Sequence, residues 1–343
     1  MLSLPEDFSV FCNFSAAIGA NPLIIQAAGG NTSVKAGRVM WIKASGTLLA
    51  DALTRDIFVP VDLPAIQSAI QEHDPRADLP VEFCLSGTLR PSIETSLHAV
   101  FAQRVVVHVH CVNTLSIVIR PDALAILTEK LKGFNWAFVP YVKPGARLAA
   151  LVSNVLEPNT DVVLLGNHGL IVAADTVDAA NTLLTRIIAA LNAPIRILRN
   201  PDLQALAVRL TPDFMALRAD HPTHQVALYP DLTAAAEAGS LYPDHVIFLG
   251  VAATVLKANE IPEETVVRRS GLGLAPPILL LVPGAGALIR SDATPSALAL
   301  AQCLGDVLLR LPEGAPVQIL TAEQNAELLD WDAEKYRQAL NVS

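Results

Sequence analysis

Apolar residues fall along this chain in two periods, one helical and one alternating, and Gly, Pro and Asn clusters mark the changes between them. Phe8, Phe11, Ala16 and Ala17 recur near helical spacing ahead of Gly19 and Pro22, which predicts a helix over residues 5–18. Val39–Ile42 and IFVPV (57–61) predict short strands, with a helix over Leu63–Gln71. A turn and then a helix are predicted from Ser92, and the β-branched run VVVHVH (105–110) predicts a strand. A helix over Ala146–Val155 is followed by the strand DVVLL, the turn Gly166-Asn167-His168-Gly169 and the strand LIVA. Val177, Ala180, Leu183, Leu184, Ile187 and Leu191 then form a helical stripe ending around Asn192–Pro194. Residues 195–230, rich in Arg, Pro and His, lack periodicity and are read as the boundary region. Beyond them HVIFLG (245–250) and ILLLV (278–282) predict strands, and Thr321 with Gln324 has the form of a capping box. Strands and helices alternate throughout, which predicts an α/β fold in two domains, 1–200 and 201–343.

Composition narrows the function classes. Of 343 residues 52% are apolar and 17% charged, enough for a substantial core. The formal net charge of −9 argues against a duplex nucleic-acid binder, which needs a basic footprint, but leaves room for a local anion pocket. Cys12, Cys84, Cys111 and Cys303 are scattered without CxxC spacing, so neither a disulfide framework nor a zinc knuckle is expected. Acidic residues stand near the N-terminus where a signal peptide carries basic ones. The apolar run Ile278–Ile289 contains Pro283 and is too short to span a bilayer. The expectation is a soluble, cytoplasmic protein with no membrane or nucleic-acid partner.

Three of the eight histidines stand out by context. Side chains alternate along a strand, so His108 and His110 face the same way and could share one metal ion. Two histidines in a core strand making ordinary hydrogen bonds would give the same pattern. Cys111 faces away from the pair. His168 lies in a turn at a strand end. Glu94 opens a helix, where a carboxylate also serves simply to compensate the helix dipole. His98, one turn on, reads as a packing or hydrogen-bonding partner. The turns Gly29-Gly30-Asn31 and Lys43-Ala44-Ser45-Gly46-Thr47 offer backbone N–H groups that can cradle an anion, though such strings are often only turns.

Together, GGNTS (29–33), KASGT (43–47), PSIET (91–95), HVH (108–110) and NHG (167–169) resemble, in this order, the class II aldolase/adducin family. The stretches PSIETSLHA, VPYVKPG and LLGNHGLIV resemble most closely its rhamnulose-1-phosphate aldolase branch, including forms fused to a dehydrogenase. The resemblance covers roughly residues 8–192. It implies a three-layer α/β/α domain around a central, largely antiparallel sheet, followed by a smaller C-terminal α/β domain. It implies one Zn2+ or other divalent ion per chain on His108, His110 and His168, with Glu94 beside it as ligand and acid/base group. Gly30, Asn31, Ser45, Gly46 and Ser92 would line the anion pocket, and Tyr141 could line the site. Ile93 stands where several members carry a second hydroxyl, which removes one phosphate donor. The implied reaction is reversible aldol cleavage of a ketose, expected as its phosphate ester, through an enediolate. The implied assembly is a homo-oligomer, a tetramer. Epimerases, dehydratases and decarboxylases share these motifs, and adducin-like interaction modules keep the fold without the metal ligands.

The C-terminal part is read as a degenerate partial repeat. Placing Leu164–Gly169 over Leu281–Gly286, an offset of 281 − 164 = 117, also pairs Asp175 with Asp292. The stripe Ala180, Leu183, Leu184, Ile187, Leu191 then falls on Ala297, Leu300, Ala301, Leu304, Leu308. Position 168 becomes Ala285, so no second metal is expected. His221 and His224 are read as lying in an exposed linker, and His245 as standing alone.

Overall fold

Seven short strands build the sheet that carries the site. They are β1 (Asn31–Ala36), β2 (Val39–Lys43), β3 (Phe58–Asp62), β4 (Val105–Val109), β5 (Trp136–Val139), β6 (Val162–Leu165) and β7 (Gly169–Ala174), seen in a computed structural model that describes residues 2–332, 335 and 336. The order across the sheet is β3-β2-β1-β4-β7-β6-β5. Only the β5–β6 pair is parallel; the other five are antiparallel. The chain divides into two compact units, the first formed by the residues up to Val118 with Asp122–Asn192, the second mainly by the residues from Ala193 onward.

Helices cover both faces of this sheet. The helix Leu63–Gln71 begins where the Asp62 carboxylate accepts the Ala65 N–H at 3.2 Å and Pro64 tolerates the unpaired first turn. It buries Leu63, Ile66, Ala69 and Ile70 against Met40, Ile42, Val59 and Val61. Beside it, Leu148, Ala149 and Val152 of the helix Ala146–Val155 pack with Val106, Val163 and Ile171. Each fully buried Leu or Ile contributes about 1.5–3 kcal/mol, so this face is strongly fixed. Trp41 points to the opposite face by strand alternation, where Phe8 meets it at 5.6 Å and Phe11 meets Phe58 at 4.8 Å. The helix Val177–Ala190, capped by Thr176 on the Ala179 N–H, packs against β4 and β7. This is the expected arrangement of helix layers around a largely antiparallel sheet.

The second unit has a four-stranded sheet of β8 (Phe214–Ala216), β9 (Thr254–Val255), β10 (Leu279–Val282) and β11 (Gly286–Arg290), ordered β8-β11-β10-β9. Leu206, Phe214, Leu256, Leu280, Val282 and Leu288 form its apolar cluster. Among the described residues, no helix is long and apolar enough to cross a membrane.

Three local expectations change. HVIFLG is not a strand: Pro243–Leu249 is a helix with Pro243 at its first position and all seven residues buried. A helix buried on every side has no polar stripe, so its short apolar run cannot be told from a strand by periodicity. The helix read from Ser92 starts only at Thr95 and spans Thr95–Ala99, because Pro91 and Ser92 are held as a bridge beside the end of β2, by the Ala44–Pro91 pairing and the Ser92 N–H on the Lys43 carbonyl at 3.0 Å, and a turn follows. His224, read as lying in an exposed linker, is fully buried in the helix Thr223–Leu228.

Candidate metal centre and active site

Strand pairing brings the distant motifs together. β4 sits between β1 and β7, with Asn31 opposite His108 on one side and Ile171 on the other. His108 shares a face with Val106, the face covered by the helices that follow Asp62 and Glu94. The β6–β7 turn returns His168 to the same end of the sheet, with Asn167 in the left-handed region at φ 50°. The VPYVKPG segment packs behind this turn, since a Cβ on Gly166 would lie 3.0 Å from the Tyr141 backbone nitrogen.

The result is a cluster of imidazoles. One ligand nitrogen from each of His108, His110 and His168 can be chosen so that all lie within 4.8 Å of one another, and all three residues are buried. His108 Nε2 is 3.1 Å from His110 Nε2. His108 Nδ1 lies 3.1 Å from the Leu170 carbonyl, which accepts a hydrogen bond only if Nδ1 carries the proton. That tautomer leaves the His108 Nε2 lone pair facing the cluster, the arrangement of a metal ligand held by a backbone carbonyl behind it. The donor set therefore fits a divalent ion, and an imidazole-rich set suits zinc among others.

Glu94 completes the cluster. Its Oε1 is 3.3 Å from His168 Nε2 and its Oε2 is 3.5 Å from His108 Nε2. Burial by itself would raise this carboxyl pKa, but attraction to the facing imidazoles of His108, His168 and His110 in their protonated form and the Asn31 hydrogen bond outweigh it and bring the pKa to about 2. The side chain is thus a carboxylate inside a buried site. His98 does not join the cluster. Its Nδ1 lies 2.8 Å from Ser33 Oγ, and burial lowers its pKa to about 3, so it is a neutral core imidazole.

Two of the residues expected to bind an anion, Asn31 and Ser92, lie against Glu94. Asn31 Nδ2 donates to Glu94 Oε2 at 2.8 Å and to Ser92 Oγ at 3.1 Å, and the Glu94 N–H donates to Ser92 Oγ at 3.2 Å. Gly30 has φ 58°, and a Cβ there would lie 2.3 Å from Ile25 Cδ1 and 2.8 Å from the His108 carbonyl. Only glycine lets the loop run this close to β4. The Ser45 N–H donates to the Arg90 carbonyl at 2.8 Å, and Ser45 and Gly46 remain part-exposed beside Ser92's segment. The reading of the sequence passed over Lys43. Its buried Nζ donates to the Ala28 carbonyl at 2.7 Å and the Thr47 carbonyl at 2.9 Å, tying the two glycine loops together. The signal was a lysine inside an otherwise apolar strand, directly before Ala-Ser-Gly.

Residues 17–192 match the model of the class II aldolase and adducin N-terminal domain. The chain belongs to the class II aldolase/adducin family. It is 31% identical over 189 residues to the uncharacterized oxidoreductase YuxG of Bacillus subtilis, a match that covers 50% of this chain and only 27% of that longer relative. Among solved structures it is similar to the N-terminal class II aldolase domain of a Thermoplasma acidophilum protein, with TM-score 0.49 and 26% identity over 56% of this chain and 94% of that one. The L-fuculose-1-phosphate aldolase of Thermus thermophilus matches with TM-score 0.37 and 21% identity, over 54% of this chain and 90% of its own.

Proposed function

We propose that this chain is a metal-dependent aldolase that cleaves a ketose phosphate reversibly, with Glu94 as the acid/base group. The observation that carries the reading is a buried carboxylate within 3.5 Å of two of three clustered imidazoles, hydrogen-bonded to an asparagine at the edge of two glycine loops. His108, His110 and His168 would hold the ion, zinc or another divalent metal. When bound, such an ion supplies Lewis-acid polarisation of a carbonyl.

The chain's own residues do the rest. Glu94 takes up and returns the proton at Oε2, the oxygen that Asn31 orients. Asn31, Ser45, Gly46 and Ser92, with Gly30 shaping the turn, bind and orient the substrate's anionic group. The low exposure of Glu94 and the histidines keeps water from the reacting carbon. The likeness of PSIETSLHA and VPYVKPG to the rhamnulose-1-phosphate branch puts rhamnulose 1-phosphate first among substrates. Assembly as a homo-oligomer, a tetramer, in the cytoplasm accompanies this reading.

The test is a panel of ketose 1-phosphates and free ketoses, incubated with metal-loaded protein and assayed for aldehyde release. Aldehyde from a ketose phosphate is the expected result. Epimerised or decarboxylated product without free aldehyde would move the chain to another chemistry of the same family, and full metal without any turnover would overturn the enzymatic reading.

A further inference from the structure

We propose that the second unit is a degenerate copy of the metal-binding half of the first, with the metal pocket closed by the side chain of His224. The four strands β8-β11-β10-β9 repeat β4-β7-β6-β5 in order across the sheet and in order along the chain. Their directions agree as well. β8–β11 and β10–β11 are antiparallel like β4–β7 and β6–β7, and β9–β10 is parallel like β5–β6.

Register makes the correspondence residue by residue. Leu165 pairs with Gly169 and Val282 with Gly286, an offset of 282 − 165 = 117 and 286 − 169 = 117. Phe138 pairs with Leu164 and Val255 with Leu281, again 255 − 138 = 117. The left-handed residue of the turn is Asn167 in one unit and Gly284 in the other, at φ 50° and 75°. Both hairpins lead into helices of 14 residues capped by a threonine, Thr176 and Thr294. One shared strand order is common in α/β proteins; a shared order, direction, register and turn conformation is not expected by chance.

The ligand positions can then be read off. Ile171 pairs with His108 and Leu288 with Ala216, so Ala216 occupies the place of His108, Arg218 that of His110, and Ala285 that of His168. None of the three is an imidazole. Beside Gly169, a Cβ would lie 3.1 Å from His108 Cε1 and 3.2 Å from His110 Cδ2; beside its counterpart Gly286, a Cβ would lie 2.6 Å from His224 Nδ1. A ring thus stands over the same glycine in both units, delivered from different elements. In the second unit its nitrogens are used by backbone. His224 Nδ1 accepts the Ala287 N–H at 3.0 Å, and Nε2 faces the Arg218 carbonyl at 3.0 Å and that of Leu217 at 3.3 Å. His224 is a structural plug where the first unit has a ligand pocket.

The test uses the full-length protein. A crystal structure soaked in zinc should show anomalous density at His108, His110 and His168 and none at His224. Superposing β5, β6 and β7 on β9, β10 and β11 should give its lowest backbone deviation at the offset of 117 and should bring β4 onto β8 with His108 over Ala216. Metal at His224 would overturn the plug, and a better fit at any other offset would overturn the copy. H224Q should keep the wild-type metal content and turnover while lowering the thermal midpoint, and loss of a metal equivalent in it would also overturn the plug. Wild-type protein without metal at the first site would instead defeat the metal reading and leave the superposition to decide the copy.

Discussion

Asn31 Nδ2 lies 2.8 Å from Glu94 Oε2, although the two residues are 63 apart in sequence. Asn31 stands at the first position of β1, where its pairing with His108 aims the amide across the site. One amide thus links the loop that would receive an anion to the carboxylate that would move a proton.

Glu94→Gln should abolish turnover while leaving the fold and most of the metal in place. The amide cannot carry the proton, so kcat should fall by about 10²–10⁴-fold, the usual contribution of a general acid/base. Activity within a few-fold of wild type would place the proton transfer on another group.

His108→Ala and His168→Ala should each lose the bound ion, read by elemental analysis of protein purified without added metal. Removing one of three imidazole ligands leaves an incomplete set for an ion that prefers four ligands. Stoichiometric metal in both variants would remove the basis of the assigned centre.

Ser45→Ala should raise KM for phosphorylated ketoses and leave KM for free ketoses unchanged, since the hydroxyl and its loop are assigned to the anion. Inorganic phosphate should compete with substrate in the wild type. Equal changes for both substrate types would assign an unphosphorylated substrate, in keeping with Ile93 in place of a second hydroxyl.

Gly30→Ala should cost more than loss of backbone freedom explains. The new methyl would meet Ile25 and the His108 carbonyl, at a backbone angle that L-residues rarely adopt. A destabilisation on the order of 1–3 kcal/mol is expected, together with reduced metal affinity because β4 must shift. Denaturant midpoints and metal titration measure the two effects, and an unchanged midpoint would contradict the close approach.

Acid should destabilise the second unit through His245. Its ring is fully buried with Nδ1 accepting the Leu241 N–H at 3.2 Å, and burial lowers its pKa from 6.5 to about 4. Below pH 6.5 the unfolded chain takes up a proton that the folded chain refuses, so stability falls as pH drops from 6.5 towards 4 and is flat in this respect above 6.5. The loss is on the order of 3 kcal/mol. His245→Asn keeps an acceptor without the titration, and its unfolding free energy should fall less steeply over that range; parallel curves would refute the assignment.

The strand's two-residue period put His108 and His110 on one face, but it was the order of the motifs and the family they resemble that singled out His108, His110, His168 and Glu94 together. The same order offered the strand–turn–strand–helix pattern after residue 279 on which the proposed copy rests. What local pattern could not decide was anything set by packing from elsewhere. HVIFLG read as a strand because burial on all sides removes the polar stripe that would have marked its helix. His224 sits in a Pro-containing segment that reads as exposed, yet it is buried under Gly286 by contacts 62 residues away, 286 − 224 = 62. Lys43 looked like part of a loop until its ammonium was seen between two carbonyls of different turns. The bond between Asn31 and Glu94 likewise depends on distant pairings: β1 lies beside β2, and the segment before Glu94 is held at the end of β2 by the Ser92 N–H on the Lys43 carbonyl. Residue type and spacing determine which chemistry is available to this chain; only the tertiary structure brings the groups within hydrogen-bonding distance, since that depends on pairings the local sequence does not encode.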